Sequence, residues 1–324
     1  TKWSDDTFLD EIRKSCDPAA DGCVAQLPES YDYGTLFRRI QAGTDPVPAD
    51  APPVLRAFFD DTRDLPRIET DATRFPDGVD HKRLARGEAA FLDHAVLSMV
   101  VLLAKSMPEG YAAPCLSRLL AISGNLQHHP FKRLIGVLQM VADVMSENAF
   151  QRFGRAPVTA QKMRLMHAGI RKFVRTQWNE FPDYHARFGE PVNHEDMLGT
   201  LMGLSLLVIT GLQQLHVGLS DEEAEDYYYV WRVYGQLLGI HPPGDRHATT
   251  WIPASLAEAR EFYASYERRH YVEASQNPKG VELANARKAA ELATAETVRA
   301  QELRAARDRE DQNANPSGVP RGSA

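Results

Sequence analysis

Residues 162–172, KMRLMHAGIRK, set one imidazole between two kinds of side chain. At ~100° per residue of helix, Met163 and Ile170 lie one turn either side of His167 on one flank. Arg164 and Arg171 lie one turn either side of it on the other. An imidazole at the seam of an apolar stripe and a paired cationic stripe has two readings. It is a core histidine on an amphipathic helix whose arginines reach solvent, or it holds a large planar cofactor with an apolar body and an anionic edge.

Haem has that shape. Its iron takes an axial imidazole, its ring packs on apolar side chains, and its propionates seek cations. On this reading His167 is the iron ligand, Met163 and Ile170 pack on the porphyrin, and Arg164 and Arg171 meet its carboxylates. A second group lies upstream. Arg133, Gly136, Val137, Met140 and Val144 fall at i, i+3, i+4, i+7 and i+11, so they share a helix face. An arginine on an apolar stripe, beside a glycine that leaves a hollow, has two uses. It snorkels to water from the start of the helix, or it stabilises negative charge developing on oxygen. In the second case Gly136, Val137 and Met140 shape the pocket.

Other chemistries lack their motifs. There is no G-x-G-x-x-G or Walker loop, no G-x-S-x-G elbow, no H-E-x-x-H, and no pair of E-x-x-H helices. His128 and His129 are adjacent and point ~100° apart along a helix. His94, beside Asp93, reads as an interhelix pair. The loop HPPGDRH, from His241 to His247, could take a surface metal, but ordinary loop histidines are the plainer account. Cys16, Cys23 and Cys115 are odd in number and form no C-x-x-C, which suits reduced, ordinary thiols.

These residues need helices to position them, and helical periodicity dominates the chain. The spacing predicts helices over about 5–15, 34–42, 53–63, 81–107, 113–124, 130–153, 159–178, 194–216, 220–240 and 252–273. A Pro- and Gly-marked loop is expected after the first helix, through Tyr33. Strand alternation and repeats of 20–50 residues are absent. The longest apolar run, MLGTLMGLSLLVITGL, has 16 residues and suits a buried central helix rather than a membrane span. Within it, Gly199 and Gly203 allow tight packing inside the domain. Trp231 and Tyr234 are expected in the core.

The expected architecture is all-α. Residues 1–80 form an irregular lead-in with helices, 81–275 a helical core, and 276–324 a charged, exposed extension whose VPRGSA reads as a protease-site scar from an expression tag. With 324 residues, 43% of them hydrophobic, a sizeable core is available. A net charge of −7 and a pI near 5.9 argue against nucleic acid as a partner. Cysteine usage and the polar opening TKWSDDTFLDEIRK suggest the cytoplasm. Oligomeric state is open.

VTAQKMRLMHAGIRKFV, then HEDMLGTLMGLSLLVITGL and YVWRVYGQLLGI, resemble the rubber oxygenase family over about residues 80–275. That family includes the latex clearing proteins and a fungal membrane-bound oxygenase that trims a farnesyl side chain. The resemblance implies a globin-like helical core carrying haem b (iron protoporphyrin IX). By motif it makes His167 the proximal iron ligand, puts Arg164 and Arg171 near the haem edge, and matches Arg133 to a distal arginine. Latex clearing proteins follow that arginine with a lysine and a threonine, where this chain has Gly136 and Val137. They also use a glutamate on the preceding helix as a base, whereas residues 117–123 here contain no acid. Haem binding therefore carries over, and polyisoprene cleavage does not.

The leading expectation is a haem-dependent oxidoreductase, using dioxygen or a peroxide on a small, largely apolar organic substrate. Two others remain: a non-catalytic haem protein that binds or senses a gas, and a haem-free helical interaction module.

Overall fold

The computed structural model describes residues 1–40, 47–122, 130–176, 184–289 and 299, with the side chains of 122 and 130–133 left out. Among the described residues every regular element is helical. In chain order these are α1 (Asp6–Arg13), α2 (Pro18–Ala25), α3 (Tyr33–Arg39), α4 (Pro53–Asp61), α5 (His81–Asp93) and α6 (Ala95–Val101). After a π-helical stretch, Leu102–Ser106, come α7 (Met107–Gly110), α8 (Pro114–Ile122), α9 (Pro130–Val144), α10 (Arg155–Thr176) and α11 (Tyr184–Phe188). The chain continues with α12 (His194–Leu204), α13 (Leu206–Gln214), α14 (Asp221–Leu237) and α15 (Leu256–His270).

The starts of these helices are written locally. Asp5, Asp17, Asp32, Asp80, Asn193, Ser220 and Ser255 each accept a backbone N–H from the first turn that follows. Four expectations need correction. The helix expected over 130–153 ends at Val144, and turns follow it. The loop expected after α1 holds a helix, because Asp17 caps it and Pro18 occupies its first position, where the missing N–H costs nothing. The helix expected over 81–107 bends by 81° at His94, between α5 and Ala95–Gly110. The helix expected over 194–216 is interrupted at Ser205, whose hydroxyl donates back to the Leu201 carbonyl at 2.7 Å.

The bend lets α5 lie along α14 while α6 lies along α13. Their shared core includes Leu198, Leu201, Met202, Ile209, Leu212, Val230 and Trp231, all buried. Trp231 and Tyr234 are core residues, as expected, with ring centroids 5.8 Å apart edge to face. His194–Gln214 is long and apolar enough to cross a membrane, yet 83% of its most apolar window is buried inside the molecule, as befits a central helix.

The C-terminal extension is less exposed at its start than its composition suggests. Residues 281–289 are helical, Leu283 packs against Tyr111 in a small cluster of its own, and Arg287 is buried.

Close packing at α12 can be tested. A Cβ on Gly199 would lie 2.6 Å from the Tyr266 ring, whereas none is obstructed at Gly203. Gly199→Ala should destabilise the protein by about 1–3 kcal/mol through overpacking. Gly203→Ala, on the same helix, should be neutral or stabilising by up to about 1 kcal/mol through helix propensity. Denaturant unfolding of the two variants checks the opposite signs.

Candidate functional site

Helix α10 runs for 22 residues with its one proline, Pro157, confined to the first turn. Ala156, Val158, Ala160, Leu165, Ala168 and Val174 are buried along it. His167 is half-buried, and its Nδ1 is shielded from solvent. Met163 packs against the main core and Ile170 against a smaller cluster around Cys115, Leu119 and Tyr184. The apolar side of the seam is therefore where the spacing puts it.

The cationic side is not at the surface. Arg164 and Arg171 are 7% and 0% exposed, which rules out arginines reaching solvent. Arg164 donates to both oxygens of Asp17, Nε at 2.6 Å and Nη2 at 2.9 Å, and its guanidinium lies 5.4 Å from the Phe58 ring. Arg171 Nε donates to Asp21 at 2.7 Å and Nη1 to the Val192 carbonyl at 3.4 Å. Arg175 extends the row, bonded to Asp21 at 3.1 Å and Glu190 at 2.8 Å. The carboxylates that meet the two flanking arginines thus come from α2, the helix expected to be a loop. Arg171 Nη2 stays buried with no acceptor.

Helix α9 packs beside α10, with Thr159 Oγ1 donating to Asp143 at 3.5 Å. Val141 and Val144 are buried and Val137 and Met140 half-buried against the core. Gly136 is exposed, with open space where a Cβ would stand, and Arg133 sits on the first turn with its side chain outside the described residues. Ile135 on α9 and Met166 and Phe173 on α10 are 46%, 39% and 42% exposed. Gly169, between those last two, also faces open space. A half-buried imidazole with an aliphatic side chain one turn either side of it is a donor set that fits haem. A separate small pocket, lined by Phe59, Arg63, Phe153, Pro157, Val158 and Gln161, lies toward the N-terminus of α10 and does not include His167.

One residue escaped the sequence reading. His194 is 1% exposed, and neither ring nitrogen has a hydrogen-bond partner. Burial pushes its pKa down to about 3; Asp17 opposes the shift, and His241, Arg171 and Arg164 add to it. Its ring stands edge to face with Trp251 at 5.7 Å. The next two residues, Glu195 and Asp196, are also buried. Arg13 bonds to both at 3.1 and 3.0 Å, Arg269 and His270 meet Glu195 at 2.9 Å, and Tyr266 donates to Asp196 at 3.1 Å. Asn193 bonds locally to Asp196 at 2.9 Å, but the charged partners of this HED triplet lie about 70 residues or more away in sequence, so no local signal marks its burial.

The remaining candidates fall away. All three cysteines are free, and burial raises the pKa of each, which leaves ordinary thiols. Among the described residues no cluster of three His, Cys, Asp or Glu side chains is arranged for a metal ion, the His241–His247 loop included. His128 and His129 lie outside the described residues.

Three likenesses bear on this site. The family model described as ER-bound oxygenase mpaB/B'/Rubber oxygenase, catalytic domain, matches residues 89–309. The rubber oxygenase of Streptomyces sp. (strain K30) is 26% identical over 132 residues, covering 40% of this chain and 31% of that protein. The chain thus spans about a third of the length of that curated relative. The structure of latex clearing protein LCP in the closed state superposes with a TM-score of 0.69 at 21% identity, over 85% of this chain and 69% of that one, a likeness of fold.

The buried His194 has a pH signature. Its pKa is 6.5 when exposed and about 3 in the fold, so the unfolded chain takes up a proton that the folded one refuses. Stability should therefore fall as pH drops from about 6.5 toward 4.5, above the range in which most carboxylates titrate. His194→Phe should flatten that slope by one proton's worth, measured as unfolding free energy against pH.

Proposed function

We infer the activity from the chain's membership of the ER-bound oxygenase mpaB/B'/rubber oxygenase catalytic-domain family, and propose a haem b-dependent oxygenase acting on a small, largely apolar organic substrate with dioxygen or a peroxide. The observation that carries this is His167, half-buried on α10 inside the matched residues, with apolar side chains on one flank and neutralised arginines on the other.

His167 would hold the iron, and Met163 and Ile170 would limit the tilt of its ring by packing on either side. Haem, when bound, would supply the redox-active iron through which dioxygen or a peroxide, the net oxidant, oxidises the substrate. Gly136, Val137 and Met140 on α9 would bound an apolar pocket. Arg133, one turn N-terminal of Gly136, would donate hydrogen bonds to negative charge that develops on oxygen during the reaction. Arg164 and Arg171 would serve the site through their ion pairs with α2, because their charge is already met there.

Proton transfer is poorly provided for. Helix α8 carries no acid: its Ser117 is buried and bonded to Asn277 at 2.9 Å. Allylic proton abstraction from a polyisoprene needs a base, so rubber cleavage is not the activity proposed. The same feature favours a second reading, a haem protein that binds a gas without turning over substrate.

Purified protein expressed with haem supply should show a Soret band, and His167→Ala should lose it. Colourless wild-type protein overturns the proposal. Arg133→Ala should keep the band and lose about 100-fold or more in turnover in a screen of apolar substrates. A coloured protein inert toward dioxygen and peroxide would instead support gas binding.

A further inference from the structure

We propose that Asp17 and Asp21, which lie outside the family match at 89–309, are positioning residues for His167, acting through Arg164 and Arg171. The proposal rests on the reading of His167 as the haem ligand.

Arg164 and Arg171 stand three residues before and four after His167, so the two guanidiniums bracket the imidazole along one side of α10. Each is fixed by a carboxylate of a single partner helix. Asp17 caps α2 and Asp21 lies in its first turn, so both carboxylates sit at the N-terminal end of one helix. A single ion pair would let α10 roll about its axis or slide against α2. Two pairs, one either side of His167, set both rotation and height, and with them the direction in which the imidazole leaves the helix.

The socket around the first pair is built to hold it. Asp17 is the cap of α2, where its Oδ1 accepts the Ala20 N–H at 3.1 Å as well as Arg164 Nη2 at 2.9 Å. Just past the end of α14, Gly239 has φ +84°, and a Cβ there would lie 3.2 Å from Asp17 Oδ2 and 3.3 Å from Arg164. Phe58 on α4 closes the remaining side. Helices α2, α4 and α14 therefore converge on one guanidinium that belongs to the His167 helix. Groups that orient a metal-binding histidine without touching the metal typically change metal affinity 10–100-fold when altered.

The test measures haem release rather than turnover. Haem-loaded protein is mixed with excess apomyoglobin, and the transfer rate is followed together with the electron paramagnetic resonance spectrum. Asp21→Asn and Asp17→Glu, the latter keeping charge but lengthening the arm by one methylene, should each release haem about 10–100-fold faster with a broadened spectrum. Asp17→Asn combined with Arg164→Gln should release it no faster than the worse single variant, because the two act as one unit. Asp226→Asn is the control, breaking a buried ion pair with Arg83 (2.6 Å) and Arg86 (2.5 Å) on α5 and α14, away from α10. It should lower the unfolding temperature without speeding release.

Folded Asp21→Asn and Asp17→Glu proteins that hold haem as long as wild type overturn the positioning role. So does a release rate that merely tracks unfolding temperature across all variants, Asp226→Asn included. Wild-type protein that takes up no haem overturns the functional reading itself, which separates the two failures.

Discussion

Buried guanidinium–carboxylate contacts tie the first 25 residues to the core, and the rest of the structure depends on them. Arg13 reaches Glu195 and Asp196 on α12, while Asp17 and Asp21 reach Arg164 and Arg171 on α10. Taking these charges out of water is expensive, and their mutual attraction repays the cost only when geometry and further hydrogen bonds are good. Here Asn193, Tyr266 and Ala20 supply such bonds. Pairs of this kind add little net stability over a well-packed apolar isostere, but losing one partner typically costs about 3–5 kcal/mol. They therefore act mainly as specifications. One arrangement of α1 and α2 against α10 and α12 satisfies every charge, and alternatives leave a buried ion alone.

That specification was the part of the fold least visible in the sequence. Most helix positions follow from apolar spacing, and the seam at His167 is legible from the nine residues Met163 to Arg171. What the arginines meet is not. Asp17 and Asp21 are ordinary acids near a proline and a glycine, and their partners lie about 150 residues away. Pro18 stands at the first position of α2, directly after its cap, where proline starts a helix rather than breaking it. The bend at His94 had no proline or glycine to announce it. Its cause is tertiary, because α5 follows α14 while the next helix follows α13.

The HED triplet shows the same limit from the other side. Its acids look like ordinary first-turn residues that favour the positive end of a helix dipole. The structure buries all three residues and surrounds the acids with Arg13, Arg269 and His270. Local rules accounted for the position of α12 and the burial of its apolar run, and gave no hint that the charged triplet at its start is buried as well. Both cases concern charged groups whose main partners are distant in sequence, whereas the apolar pattern, which depends on near neighbours, locates most helices and misses their bends and breaks.

The chemistry left to the protein follows from this arrangement of charge. Arg164, Arg171 and Arg175 are matched by Asp17, Asp21 and Glu190, so little net field is left along that side of α10. His194 stays neutral near physiological pH, and burial keeps Cys115, Tyr234 and Tyr266 protonated. None of these buried groups exchanges a proton readily at neutral pH. A reaction whose difficult step is proton removal by the protein would find no base among them, whereas one driven by a bound redox group needs only a held substrate and a steadied ligand. Uncovered aliphatic and aromatic side chains on α9 and α10 suit the first requirement, and the paired attachment to α2 suits the second. The division of labour is therefore lopsided. The described side chains provide orientation and an apolar surface, and on the proposed reading the oxidising power would come from dioxygen or a peroxide at a haem held by His167.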